Sequence, residues 1–238
     1  MDTTRAARPI PLALTMLVAF FSALAALAVS NGHDALAHGT QPHQAKSPIT
    51  VTHTALVDTR KAVALRTDMR KLWEDHITWT RLAIISLTTD SPDTTATVGR
   101  LLKNQTDIGN AVKPFYGDAA GNEVTRQLRL HILIAADLVA AAQAGDQPKL
   151  ADAQARWQQN ADDIAGVLNS VNPSHWPLAK MKRELGIHLT LTTEEAVARL
   201  QADWDADVAA YDKIHDHALH FSDLLSNGIV KQFPKRFR

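Results

Sequence analysis

This chain of 238 residues predicts an all-α fold, an up-and-down bundle of four to five long helices. Three observations carry the prediction. Alanine is abundant, glycine is scarce at 10 residues, and Val/Ile/Thr alternation is nearly missing, which favours helix over strand. Apolar residues recur at intervals of three and four through several long segments, so each segment has one apolar face. The segments are joined by only a few residues, and short connections make antiparallel neighbours.

Composition narrows the function classes. Lys plus Arg and Asp plus Glu both number 25, so the net charge is zero and nothing favours a phosphate backbone; nucleic acid is not an expected partner. There is no cysteine, which removes disulfides, thiolate metal sites and cysteine nucleophiles. A metal would have to be held by His, Asp, Glu, amide or water. Histidine, at 11 residues, is plentiful. No Walker loop, Rossmann glycine pattern, nucleophile elbow or His-Glu-x-x-His is present.

Residues 1–30 read as a signal peptide or an N-terminal membrane anchor. Arg5 and Arg8 precede an almost wholly apolar run from Ile10 to Val29. Small residues offer cleavage after Ser30 or after Ala37, while a run of about 20 apolar residues is also long enough to span a bilayer. Either way the domain is exported, periplasmic or extracellular, with membrane contact only through an uncleaved segment. Residues 31–56 are polar and aperiodic, hold His33, His38 and His43, and read as a disordered linker. The bundle domain is placed at 57–234.

The first helix is expected over 57–89, with Leu65, Met69, Leu72, His76, Trp79 and Ala83 on one face. Ser91 as N-cap and Pro92 at the first helical position start a second helix, which runs to about Lys113 on a stripe containing Leu101, Gln105 and Ile108. Pro114 and Gly117 end it. A third helix spans 118–144 with Val124, Leu128, His131 and Leu138 inside. A fourth spans 148–170 with Trp157, Asn160, Ala161 and Ile164 inside. Residues 174–191, with His175, Trp176 and His188, read as an irregular or short helical connection. Thr192-Thr193-Glu194-Glu195 reads as a capping box opening a fifth helix to about Lys231, on a stripe of Val197, Leu200, Trp204, Val208, Tyr211, His215 and Ala218.

Each helix therefore carries a polar residue on or near its apolar stripe. His76, His131, Asp212 and His217 form the candidate metal set, because bundle cores build such sites from side chains on facing helices. Imidazoles with a carboxylate suit a divalent transition metal, with Zn, Fe, Cu, Mn and Ni all compatible. Gln105, Asn160 and Thr80 are the candidates to orient the rings or to bind a small ligand, and Trp73 and Trp79 to exclude water. Arg81, Glu123 and Arg126 are candidate ion-pair residues near a bundle end. The Glu-x-x-His pairs of di-iron bundles are missing. Three readings stay open. The buried polar residues bind a metal or small ligand; they form a hydrogen-bonded network that only sets helix register; or His76 or His131 is a general base of an enzyme.

The segments LWEDHITWTRLAIIS (72–86), LLKNQTDIGNAVKPFYG (101–117), HILIA (131–135) and SNGIVKQFP (226–234) resemble a family of small bacterial envelope or secreted helical-bundle proteins. The resemblance covers roughly residues 65–237. It implies the same helical fold and no assigned chemistry. Some members of that family carry transferase or kinase names, to which this chain offers neither a phosphate loop nor an α/β sheet. The matching positions include Trp73, Asp75, His76, Trp79, Thr80, Arg81, Asn104, Gln105, Asp107, Asn110, Lys113, His131, Asn160, Asp212, His217, Asp223 and Gly228.

Overall fold

Thr59 caps the first helix. Its hydroxyl accepts from the Ala62 amide and donates to the Phe237 carbonyl, so one side chain ties the two ends of the domain together. The structure, a computed structural model, describes residues 59–238. The signal-like segment, the histidine-containing linker and the expected start of the domain at 57 lie outside the described residues.

Five α-helices follow: α1 (Arg60–Thr88), α2 (Thr94–Ala144), α3 (Gln147–Val171), α4 (Leu178–Gln201) and α5 (Trp204–Gln232), then a 3₁₀ turn at Pro234–Phe237. Each packs on its successor, and α1 closes the ring against α5. The described residues are thus an all-α up-and-down bundle.

Helix α2 is two antiparallel arms. Gly117 sits at φ 84° and ψ 170°, a left-handed φ that glycine tolerates, and it folds residues 118–144 back on 94–116. In a straight helix Leu102 and Arg129 would stand about 40 Å apart. Here the Arg129 guanidinium donates to the Leu102 carbonyl at 3.1 Å. The arms touch at Gly109 and Gly121, where a Cβ on either would meet the other's carbonyl oxygen at 2.5 or 2.6 Å. Of the two residues expected to end the helix, Gly117 makes the break, while exposed Pro114 stays within the helix.

Three other boundaries differ from the sequence reading. Helix α2 starts at Thr94 rather than after Ser91; Asp93 accepts a hydrogen bond from Ser86 and makes no side-chain cap. Residues 178–191 are regular helix, the first part of α4, with Met181, Glu184, Leu185, His188 and Leu189 buried at helical spacing. The expected capping box does not cap. Thr192 and Thr193 lie inside α4 and donate to the carbonyls of His188 and Leu189, four residues back. The true break is at Ala202, in the left-handed region at φ 58°, followed by Asp203, which accepts from the Ala206 amide. The new phase turns Trp204 and Val208 outward and buries Asp207, Ala210, Ile214, Ala218 and Phe221.

The main core runs along the bundle through Met69, Trp73, Leu128, Trp157, Ile164, Trp176, Met181 and Leu225. Each such side chain contributes about 1.5–3 kcal/mol by leaving water. Trp176, 1 % exposed, lies against Gly228, where a Cβ would sit 2.1 Å from the indole nitrogen. Gly228 is therefore the close-approach position its place in a long helix suggests.

Candidate functional site

Four histidines meet in the middle of the bundle, each from a different strut. His76 comes from α1, His131 from the second arm of α2, His188 from α4 and His217 from α5. His188 is the hub. Its ring centroid lies 5.8 Å from His76, 5.8 Å from His131 and 6.4 Å from His217. All four line one cavity of about 20 Å³, together with Glu184, Trp73 and Phe221. That volume admits a single water-sized occupant. It leaves no room for an organic substrate beside His76 or His131 acting as a general base.

Neighbouring groups fix which nitrogen carries hydrogen on two of the rings, His131 and His217. Asn160 donates its amide to the carbonyl and side-chain oxygens of Gln127, so its own oxygen is the end that faces His131 Nδ1 at 2.8 Å. His131 Nδ1 must donate, which leaves a lone pair on Nε2. His217 Nε2 donates to the Glu184 carbonyl at 3.0 Å, leaving a lone pair on Nδ1. Gln105 presents its amide nitrogen to the Leu101 carbonyl, to Asn104 and, at 3.2 Å, to His76 Nδ1. Both hydrogens of that nitrogen are matched by Leu101 and Asn104, and Gln105 Oε1 has no partner, so this contact does not fix the His76 tautomer. Among the described residues the His188 ring has ring contacts and no hydrogen bond.

Burial makes these rings neutral. Desolvation first, then the neighbouring His131, pushes His76 down to about 4. Desolvation alone opposes the Asn160 bond and pushes His131 to about 4. His188 falls well below its ordinary value through burial and then through the three other rings. His217 is lowered by burial against the opposing pull of Glu184. Neutral imidazole is the form that binds metal.

The predicted site residues divide accordingly. His76, His131 and His217 converge, and Gln105 and Asn160 orient two of them as expected. Asp212 does not join them: it is exposed, on the side of α5 away from Ala210 and Ile214, because the break at Ala202 shifts the helix phase. Thr80 orients no ring; its hydroxyl donates to the His76 backbone carbonyl and it faces a separate apolar cavity. Trp73 packs edge-on to His76 at 5.5 Å, but the second aromatic wall is Trp157, 5.1 Å from His131, while Trp79 stacks under Arg100. His188 and Glu184 were not anticipated. The stripe Met181-Glu184-Leu185-His188-Thr192 carries their signal in helical spacing.

A second polar cluster ties α1, α4 and α5. Arg81 donates to Glu195 at 2.8 Å and to both oxygens of Asp207 at 2.9 and 3.0 Å, and Arg199 adds a bond to Asp207 at 3.1 Å. Both carboxylates are buried. Burial, helped by Asp207 and opposed by Arg81, pushes Glu195 up to about 7. Glu123 and Arg126 pair with each other on the surface, so Arg81 belongs to a different network from theirs.

Two imidazoles on one tetrahedral ion, with nitrogens at 2.0–2.1 Å, have centroids roughly 5 Å apart. The separations here are wider, and among the described residues no three His, Asp or Glu side chains already converge as a metal-binding set. No family model, curated protein or solved structure matches the chain.

Proposed function

We propose that this chain is an exported envelope protein whose bundle core takes up one divalent transition-metal ion at His131, His188 and His217. Three neutral rings surround one small cavity, and the outer hydrogen bonds of two leave a nitrogen lone pair unengaged; this observation carries the reading. Glu184, buried one turn before His188, is the nearest carboxylate. His76, 5.8 Å from His188 and held at Nδ1 by Gln105, stands beside these three. Against a spacing of roughly 5 Å on a shared ion, the His131–His188 and His188–His217 pairs are each about 1 Å too wide. Export is supported by the n-region and apolar run at residues 1–30.

The test is metal content and thermal unfolding of the purified chain with His33, His38, His43 and His53 changed to Gln, which removes the linker's imidazoles. After stripping with chelator, Zn²⁺, Cu²⁺, Ni²⁺ and Fe²⁺ are titrated. One equivalent of one of them should bind and raise the thermal midpoint, by about 2.7 kcal/mol of added stability at 100 times Kd. No stoichiometric binding and no shift with any of the four would end this reading.

One observation favours a second reading, in which the polar core only sets helix register: the rings stand too far apart to share an ion as they are. His188→Leu separates the two. Since His188 has no hydrogen bond to lose, the variant should fold and unfold at an equal or higher midpoint on either reading. Only under the metal reading does it also lose the bound ion.

A further inference from the structure

We propose that the apolar cavity between α1, α2 and α4 is a binding site for a small uncharged apolar molecule, the size of a diatomic gas or a xenon atom. It is separate from the histidine cavity and independent of the metal reading. Its volume is about 50 Å³. A cavity of about 150 Å³ admits a benzene ring, so this one has room for two or three heavy atoms.

Alanines make the space. Ala83 on α1, Ala135 and Ala136 on α2, and Ala196 on α4 face it where larger residues would close it. Three threonines also line it, yet they present no polar group. The hydroxyls of Thr80, Thr192 and Thr193 all donate to carbonyls four residues back in their own helices, which leaves their methyl groups to form the wall. A buried water needs two to four polar partners, and this lining offers none unengaged. The cavity is dry and suits only an apolar guest. Leu87 and Val98, both half-buried, form its outer side and give a short path from solvent. Trp157 walls this cavity and also packs on His131, so a guest lies one indole from the histidine rings.

The experiment uses xenon as probe. Methyl ¹H–¹³C spectra of the full chain are recorded under increasing xenon pressure. The methyls of Ile84, Val98, Ile132 and Thr192 should shift along a saturating curve, with the rest of the core unmoved. Ala196→Leu, which fills the space, should abolish the saturating shifts while the protein stays folded; if that variant fails to fold, Ala83→Val is read in the same way. Shifts that are absent, that grow linearly over the whole surface, or that persist in the filled variant overturn the proposal.

Discussion

Acidifying the metal-free protein from pH 7 to pH 4 should destabilise it steeply, and the slope can be worked from the buried rings. His76 and His131 are held at about 4, against an ordinary value of 6.5. A group displaced downward in the folded state is neutral in both states above pH 6.5. Between 6.5 and 4 the unfolded chain takes up the proton and the native ring does not, so stability falls; below 4 the loss is complete. A displacement of one pH unit corresponds to about 1.4 kcal/mol, so each ring removes about 3 kcal/mol over the window, and the pair about 6. Glu195 works the other way. Raised from 4.5 to about 7, it is protonated in the folded state over a range where the unfolded chain is ionised. Its contribution is present below pH 4.5 and lost as pH rises through 7, about 1 kcal/mol per pH unit in the opposite sense. Two rings against one carboxyl leave a net loss of roughly 1–2 kcal/mol per pH unit on going from 6.5 to 4.5, and His188 steepens it. Urea unfolding at pH 7.5, 6.5, 5.5 and 4.5 measures this directly. His131→Gln should flatten the slope by about one proton and Glu195→Gln should steepen it. A stability that is level between pH 7 and 5, or that rises on acidification, would refute the buried neutral rings.

Other perturbations test the packing and the polar ties. Gly228→Ala drives a methyl into Trp176 and should cost roughly 2–4 kcal/mol by denaturant unfolding, whereas Gly99→Ala, where a Cβ meets nothing within 4 Å, should stabilise by about 0.5–1 kcal/mol. Asn160→Leu leaves His131 Nδ1 and Gln127 without their partner and should cost about 1–3 kcal/mol, with the His131 ring proton signals changing in NMR. Arg81→Met strands the buried Glu195 and leaves Asp207 with Arg199 alone; it should cost about 3–5 kcal/mol, and Arg81→Lys should restore only part of it, since an ammonium lacks the fork that spans both.

The first half of the fold was legible because its punctuation is honest. Leu101, Gln105, Ile108 and Val112, then Val124, Leu128, His131 and Leu138, then Trp157, Asn160, Ala161 and Ile164 are buried at the spacing the sequence displays. Gly117 and Gly145 both take positive φ where the pattern breaks. The second half was misread through one local competition. Thr-Thr-Glu-Glu has the residues of a capping box, but a threonine hydroxyl is equally content four residues along a continuing helix, and tertiary burial of Met181, Leu185 and Leu189 decides for the helix. The true break holds an alanine in the left-handed region, a conformation alanine's identity does not advertise. Asp203 beside it, with Asp205 and Asp207 in the next turn, is the only sign.

That single shift of phase governs what could be known of the site. Read as one helix from 192, α5 appears to turn Trp204 and Val208 inward and to bring Asp212 near the core. Read from 204, it buries Asp207 against Arg81 and leaves Asp212 in solvent. The carboxylate expected beside the histidines was therefore on the wrong helix. Glu184 takes that place from α4, four residues before His188 in the segment read as an irregular or short helical connection. His76 and His131, on helices whose phase was read correctly, are where the sequence puts them. What joins them is His188, a ring with no hydrogen bond of its own. Burying an imidazole without a hydrogen bond among three others costs stability, and the bonds by which Gln105 and Asn160 tie helices together do not include it. The ring whose presence the network does not need is the one on which a ligand-binding role for this core depends.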